Sequence, residues 1–454
     1  MTLSQNLGKV VVVGGDAAGM SAASRILRIS PKSDVTVFER ESVVSYAACG
    51  MPYHLDGRIP DAGTLLVRSI SQFIEAGVDI QVGHEVTALD TDARKVVVRS
   101  RGQERVEDYD SLLIATGATA IMPELPGIEA SNVFAFRRYS DMLALAEFLS
   151  QHRPARIAVV GGGYIGVELA DVLTSHGQVC IYEAADSLLP GTLDPEMSDS
   201  VASELRDRGV KISLGQQVCG FETNSAGTVK AVRVGDTIHD CDVVIVSIGV
   251  RPASELARGT GIALGPAGAI ATDASMRTSI DGVWAAGDCA STRNLVTGQP
   301  TWVPLGPLAN KQGRVAADNI ANLPTKAPGV VGTALVKAFD LEIGRTGLTA
   351  TQAHAAGFDV LSTRIESTDR AHYYPGAEKT TILLHSDRAS RRLLGGQVLG
   401  YSGVAGRTNV IATALHACMD IDDFAALDLG YAPPFSPVWD PVLLAAQSLI
   451  RNSQ

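Results

Sequence analysis

The chain is short of the features that mark several protein classes. Aromatic residues make up 5% of 454 positions, with only three Trp. No apolar run is long enough to span a bilayer, and the start, Met1 to Lys9, is polar with no signal-like apolar segment. The six cysteines (Cys49, Cys180, Cys219, Cys241, Cys289 and Cys418) form no C-x-x-C and sit at no metal-ligand spacing with His. A zinc module and a disulfide-stapled scaffold are therefore not expected, nor is a metal site. Positive charge is also scarce. The net charge is −11, which disfavours nucleic acid and anionic membrane as partners. These absences read as a cytoplasmic protein in a reducing compartment.

What the chain has in quantity is glycine, 45 residues, and an apolar fraction of 46%. Lys9-Val10-Val11-Val12-Val13 reads as a buried parallel strand. Gly14-Gly15-Asp16-Ala17-Ala18-Gly19 follows, then a helical pattern through Met20, Ala23, Ile26 and Leu27. The next strand, Val35 to Phe38, ends at Glu39 and Arg40. Strand, glycine turn, helix, strand and terminal acid form the dinucleotide-binding fingerprint. The glycines let a backbone approach a pyrophosphate, and the acid accepts from a ribose. Asp16 departs from it, standing where the second glycine is expected. A carboxylate there must turn away from the phosphates or shift the turn.

The fingerprint recurs. Arg156 to Val160 leads into Gly161-Gly162-Gly163-Tyr164-Ile165-Gly166, with all three glycines present. A helix is expected from about Val167, and the strand Gln178 to Tyr182 ends at Glu183. An acid there favours a free 2′-hydroxyl, so NADH is expected over NADPH. One G-x-G-x-x-G is a weak signal, but two complete copies imply two dinucleotide sites. The usual reason for two is hydride transfer from a nicotinamide to a flavin.

Further stretches read as buried strands with glycine turns. They are Tyr109 to Thr116-Gly117, Asp242 to Gly249-Val250-Arg251-Pro252, and Gly282 to Gly287-Asp288. Asp288 is placed to hydrogen-bond a sugar-like chain, and a helix is expected over Pro307 to Asn322. After a linker at Asn322 to Thr325, strands are expected at 330–339, 359–365, 380–385 and 393–399, then helices at 404–418 and 441–450. That order reads as a separate α+β domain.

Cys49 lies in Ser45-Tyr46-Ala47-Ala48-Cys49-Gly50-Met51-Pro52-Tyr53. A free cysteine is most often an inert core residue. Here a helix is expected to open just after it, which would lower the thiol pKa and raise its nucleophilicity.

With the two fingerprints, Ala115-Thr116-Gly117, Gly249 with Pro252, and Ala286-Gly287-Asp288, the chain resembles the pyridine nucleotide–disulfide oxidoreductases over nearly its whole length. The resemblance implies a glutathione reductase-like α/β fold: two Rossmann-like dinucleotide-binding domains plus a C-terminal α+β dimerisation domain. Residues 1–120 and 255–325 would bind FAD, 121–254 NAD(P)H, and 326–454 would form a homodimer. Glu39 would meet the adenosine ribose of FAD and Asp288 its ribityl chain. Tyr164 would cover the flavin, with Glu168 near the carboxamide or the flavin.

The chain has no C-x-x-x-x-C and no His-Pro…Glu pair, so the dithiol reductases do not fit. The cysteine stretch instead resembles Ser-Phe-x-x-Cys-Gly-x-Pro-Tyr, the motif of the single-cysteine branch. That branch holds coenzyme A disulfide reductases, persulfide reductases, NADH oxidases and NADH peroxidases. Tyr373-Tyr374-Pro375-Gly376-Ala377 and Tyr431-Ala432-Pro433-Pro434-Phe435-Ser436 resemble motifs of the coenzyme A disulfide group. There, two tyrosines reach the partner subunit's cysteine. These would be Tyr373 and Tyr431, with Tyr374 as the neighbouring register; otherwise they are interface aromatics. Relatives active on coenzyme A often carry Asn before the cysteine, where this chain has Ala48. Ser45, Arg25 and Arg28 are the candidates for holding the substrate, the arginines through its phosphates. The expected activity is NADH-driven reduction of a coenzyme A disulfide, or of a related small disulfide or persulfide, through Cys49. An oxidase or peroxidase working through a Cys49 sulfenic acid is the first alternative. A redox-sensing flavoprotein acting through a protein partner is the second.

Overall fold

The computed structural model describes residues 6–452; Met1 to Gln5, the beginning of the polar start, and the last two residues lie outside. Strand β1 (Lys9–Val13) is valine-rich because both of its faces are covered. It leads through the glycine turn into helix α1 (Ala17–Ile29), then strand β2 (Asp34–Glu39). β1 pairs with β2 in parallel register, Val10 opposite Val35. Strand β3 (Asp79–Val82) extends that edge, while Ser111–Ile114 and Val283–Ala285 complete the other side, making five parallel strands.

A second parallel sheet repeats the plan with strands 211–213, 178–182, 156–160, 243–246 and 133–135, in that spatial order. A third sheet is antiparallel, from strands within 334–400, with helices Val404–His416 and Pro441–Asn452 packed on it. Two three-stranded antiparallel sheets, within 85–108 and 218–240, complete the larger sheets.

The differences from the sequence reading are local. The helix after the second fingerprint begins at Tyr164, not near Val167, because extended Gly163 serves directly as its N-cap. The strand expected over 330–339 is confined to Ala334–Ala338, and Leu341–Gly347 is an additional strand. A short helix, Ile421–Ala425, also lies between the two expected C-terminal helices. Asp420 caps it by accepting from Asp422 N and Asp423 N.

Two packing features place the functional residues. Helix Gly306–Ile320 lies against α1 at Gly313, where a Cβ would stand 2.2 Å from the Ala18 carbonyl oxygen. Only glycine permits that approach. One hydrophobic core also runs from Met51 and Leu55 through the second sheet to Ile343 and Leu399, joining segments far apart in sequence.

Candidate functional site

The two glycine turns have the same geometry. Gly14 and Gly161 adopt φ of 110° and 108°, open to glycine but costly for other residues. A Cβ on Gly19 would sit 1.9 Å from the Gly14 carbonyl oxygen, and one on Gly166 1.9 Å from that of Gly161. The terminal acids match as well. Glu39 accepts from Gly15 N (2.6 Å) and Glu41 N (2.8 Å). Glu183 accepts from Gly162 N (2.7 Å) and Ala185 N (2.8 Å). In both copies the helix that follows has no side-chain cap. Its first amides therefore remain donors for an anion.

A cavity of about 480 Å³ opens at the first turn. It gathers Gly14, Gly15, Glu39, Arg40, Thr116 and Gly117 from the sequence candidates. It also includes Arg137 and Arg138, from the stretch before helix Tyr139–His152, which motif reading did not mark. Arg137 pairs with Asp288 at 2.7 Å. Burial raises the Asp288 pKa and Arg137 opposes the rise. At Gly249, φ 110°, a Cβ would meet only the Ile121 side chain, at 3.9 Å, while at Gly287 it would stand 3.0 Å from the Ala18 Cβ. A glycine cradle, free helix amides, an acid at the ribose position and a counter-charged arginine fit a dinucleotide such as FAD.

Asp16 does not face the phosphates as a bare charge. Its carboxylate accepts from Tyr46 N at 3.2 Å, in the cysteine loop. Burial pushes its pKa up to about 6. That loop is pinned elsewhere too. Ser45 N donates to Gly15 O (2.9 Å), and Ala47 N donates to Leu65 O (2.8 Å). Ser45 itself is held at φ 52°, a left-handed conformation unusual for serine.

Cys49 lies in a single 3₁₀ turn, Ala48–Gly50, just before helix α2 (Met51–Leu55). Its outer side is solvent-exposed and its inner side is enclosed by protein. The expected fall in its pKa is not found. Burial raises it, and the Glu168 carboxylate raises it further. Helix α2 has five residues, too short for a strong dipole. Glu168 is itself raised by burial to about 7, and the Tyr53 hydroxyl donates to it at 3.2 Å.

A second cavity, about 280 Å³, brings Arg25, Arg28 and Ser45 together, with Arg68, Asn310 and Arg314. No acidic side chain lines it, although Arg25 is paired with Asp318 at 2.6 Å. Arg68 and Arg314 escaped sequence reading because an isolated arginine on a helix or loop resembles any solvated charge. The two tyrosine motifs come together: the hydroxyls of Tyr373 and Tyr431 lie 3.2 Å apart. Tyr374 is exposed and takes no part in that hydrogen bond. Close by in sequence, Phe435 is 79% exposed, Val438 68% and Trp439 55%. Apolar exposure of this density marks a surface made for contact.

Among the described residues, no group of His, Cys, Asp and Glu could hold a metal ion. No helix there is long and apolar enough to cross a membrane.

Residues 8–313 match the family described as pyridine nucleotide-disulphide oxidoreductase, and residues 333–441 match its dimerisation domain. The chain is 38% identical over 444 residues to the NAD(P)H coenzyme A polysulfide/persulfide reductase of Pyrococcus horikoshii, covering 97% of this chain and 98% of that one. It superposes on an NAD-dependent persulfide reductase from A. fulgidus with a TM-score of 0.94 at 36% identity, covering 98% of this chain and 83% of that one. It also superposes on a water-forming NADH oxidase from Lactobacillus brevis, bound to NADH, with a TM-score of 0.94 at 30% identity and 98% coverage of both. Two matching dinucleotide cradles around a single cysteine, and these likenesses over nearly the full length, make the chain a member of the pyridine nucleotide–disulphide oxidoreductase family, an FAD enzyme that uses NADH.

Proposed function

We propose that the protein uses NADH to reduce a disulfide or persulfide of coenzyme A through Cys49. The observation that carries this is the second cavity. Arg25, Arg28, Arg68 and Arg314 converge on Ser45, four positions before the cysteine, in a chain whose net charge is −11. A cationic pocket on an acidic protein selects an anionic substrate, and coenzyme A carries its phosphates at one end and its sulfur at the other. The name of the Pyrococcus relative supports the same carrier.

The two parallel sheets support the division into an FAD domain (1–120 with 255–325) and an NAD(P)H domain (121–254). The third sheet supports a dimerisation domain over 326–454. Glu39, Arg40, Thr116, Gly117, Gly249, Gly287 and Asp288 would hold FAD, with Arg137 neutralising the carboxylates around it. Glu183 would hold the NADH ribose, and Tyr164 would cover the flavin. Bound FAD supplies the two-electron relay between the nicotinamide and the sulfur. Cys49 attacks one sulfur of the substrate as a thiolate, so a mixed disulfide forms and a thiolate leaves. Tyr373 of the partner subunit and Tyr431 of the partner subunit would supply the leaving thiolate's proton. Their mutual hydrogen bond and the exposed apolar surface beside them support that placement. Two electrons from NADH then return the mixed disulfide to the Cys49 thiolate and free coenzyme A.

Intact mass measured with and without reductant tests the carrier. A reductant-sensitive coenzyme A adduct on Cys49 is expected. Cys49→Ser should abolish disulfide turnover while NADH still reduces the flavin. Disulfide turnover retained in that variant refutes the mechanism. Ala48 favours a second reading, since it lacks the amide with which Asn would hold coenzyme A. That reading is an NADH oxidase or peroxidase cycling Cys49 through a sulfenic acid. An oxygen-sized adduct, with oxygen uptake matching NADH use, would select it.

A further inference from the structure

The turn after strand Val283–Ala285 carries Asp288, and three separate elements hold it. Gly287 N donates to Gln312 Oε1 at 2.8 Å, on helix Gly306–Ile320. Asp288 O accepts from Trp302 Nε1 at 2.8 Å. The Asp288 carboxylate accepts from Arg137 at 2.7 Å through Oδ2. Its Oδ1 accepts from no group among the described residues, which leaves an acceptor for a ligand hydroxyl.

Gln312 is an unusual choice for its place. It is fully buried, on a helix face shared with Ala309, Gly313 and Ala316. Gly287 N can only donate, so the Gln312 oxygen must face it and the nitrogen must face elsewhere. That Nε2 is buried with no hydrogen-bond partner among the described residues. A side chain there for packing alone would be apolar and would avoid two desolvated N–H groups. Gln312 is therefore kept for its oxygen.

The oxygen sets more than one peptide. Gly287 lies against α1, where a Cβ on it would stand 3.0 Å from the Ala18 Cβ. Gly313, next to Gln312, abuts the Ala18 carbonyl. Ala18 is the second residue of α1, whose uncapped first amides follow the Gly14 turn. Gln312 thus fixes the Asp288 turn against the start of α1. The two groups that would hold opposite parts of FAD, these amides and the Asp288 carboxylate, are locked at one spacing.

We propose that Gln312 and Trp302 are positioning residues that aim the Asp288 carboxylate at bound FAD. The proposal rests on the reading of Asp288 as a contact of the flavin's ribityl chain. It adds that neutral side chains on either side of the turn set that contact.

The test follows FAD leaving the flavin-loaded enzyme after dilution, by the rise in flavin fluorescence. Gln312→Met keeps the volume and loses the acceptor. It should release FAD about tenfold faster, the scale of one buried hydrogen bond. Trp302→Phe keeps a ring, loses the donor to Asp288 O, and should speed release at least about twofold. Gln312→Glu at mildly acid pH, where a buried acid is neutral, restores an acceptor and should return toward the parent rate. On an Asp288→Asn background, Gln312→Met should add less than about twofold, because the two residues act as one unit. A purely structural role predicts equal acceleration on both backgrounds, or a lower unfolding midpoint at the parent release rate. Either result overturns the proposal, as does failure of Gln312→Glu to slow release relative to Gln312→Met. If Gln312→Met or Asp288→Asn retains no flavin, Trp302→Phe decides alone, and an unchanged rate there overturns the proposal. Unchanged release in Asp288→Asn would instead overturn the FAD reading of Asp288 on which the proposal rests.

Discussion

Replacing Glu168 by Gln removes one negative charge beside Cys49 and leaves an oxygen to accept from Tyr53. Burial holds Glu168 at about 7 against its ordinary 4.5. The folded protein therefore binds a proton more tightly than the unfolded chain does. Between these values the native state carries more protons, so stability falls as pH rises through the window. Above it the full penalty is about 3 kcal/mol from the shift, and solvent at the open side of this half-buried group reduces it to about 1–2 kcal/mol. Gln carries no such penalty. Glu168→Gln should match the parent near pH 4.5 and become the more stable of the two as pH rises beyond 7. The same change should lower the Cys49 pKa, because a neighbouring like charge has been removed. Two assays read this on the flavin-loaded enzyme. One is the unfolding midpoint of both proteins from pH 5 to pH 8.5. The other is the pH profile of Cys49 alkylation, followed by intact mass. A stability gap that does not widen with pH, or an unshifted alkylation profile, refutes the electrostatic link between Glu168 and the thiol.

Gly313→Ala places a methyl 2.2 Å from the Ala18 carbonyl oxygen and should cost about 1–3 kcal/mol. It should also lower flavin content, read as the ratio of flavin to protein absorbance. Arg68→Ala and Arg314→Ala should each raise the KM for coenzyme A disulfide about five- to tenfold and leave the KM for NADH unchanged, by steady-state kinetics. Glu183→Ala combined with Ala184→Arg removes the acid at the ribose and adds a partner for a 2′-phosphate. The ratio of kcat/KM for NADPH to that for NADH should then rise by at least about tenfold.

The large elements were legible because each carried its own pattern. The valine runs at 10–13 and the alternation into Glu39 declare parallel strands, and the glycines at 14, 19, 161 and 166 stand where no Cβ fits. The antiparallel sheets within 85–108 and 218–240 were not marked, since half-exposed strands such as Val229–Val234 carry charges between their apolar residues and read as surface. Site residues were legible where a motif named them. Arg137, Arg68 and Arg314 belong to no motif, and only the fold brings them to the walls of the two cavities. The Cys49 pKa was misjudged for a related reason. The local sequence promised a helix dipole, while burial, and then the Glu168 carboxylate from another sheet's helix, raise the thiol.

Comparing the two fingerprints shows what Asp16 does. Glu39 and Glu183 make the same pair of backbone hydrogen bonds, and their glycine turns share the same φ. The copies differ where the second glycine belongs. At Gly163 a Cβ would meet nothing within 4 Å, so a side chain would fit there and its absence leaves room for a ligand. At Asp16 a side chain is present, and it reaches the Tyr46 amide in the cysteine loop. With Ser45 N bonded to Gly15 O, the loop is tied to the first turn at two adjacent residues. The first copy has thus exchanged open space for a tether, which suits a resident cofactor that must keep a fixed place relative to Cys49. The second copy keeps its turn open, which suits a dinucleotide that enters and leaves in each cycle. On the proposed assignment of FAD to the first copy and NADH to the second, this one position is where the two cradles differ.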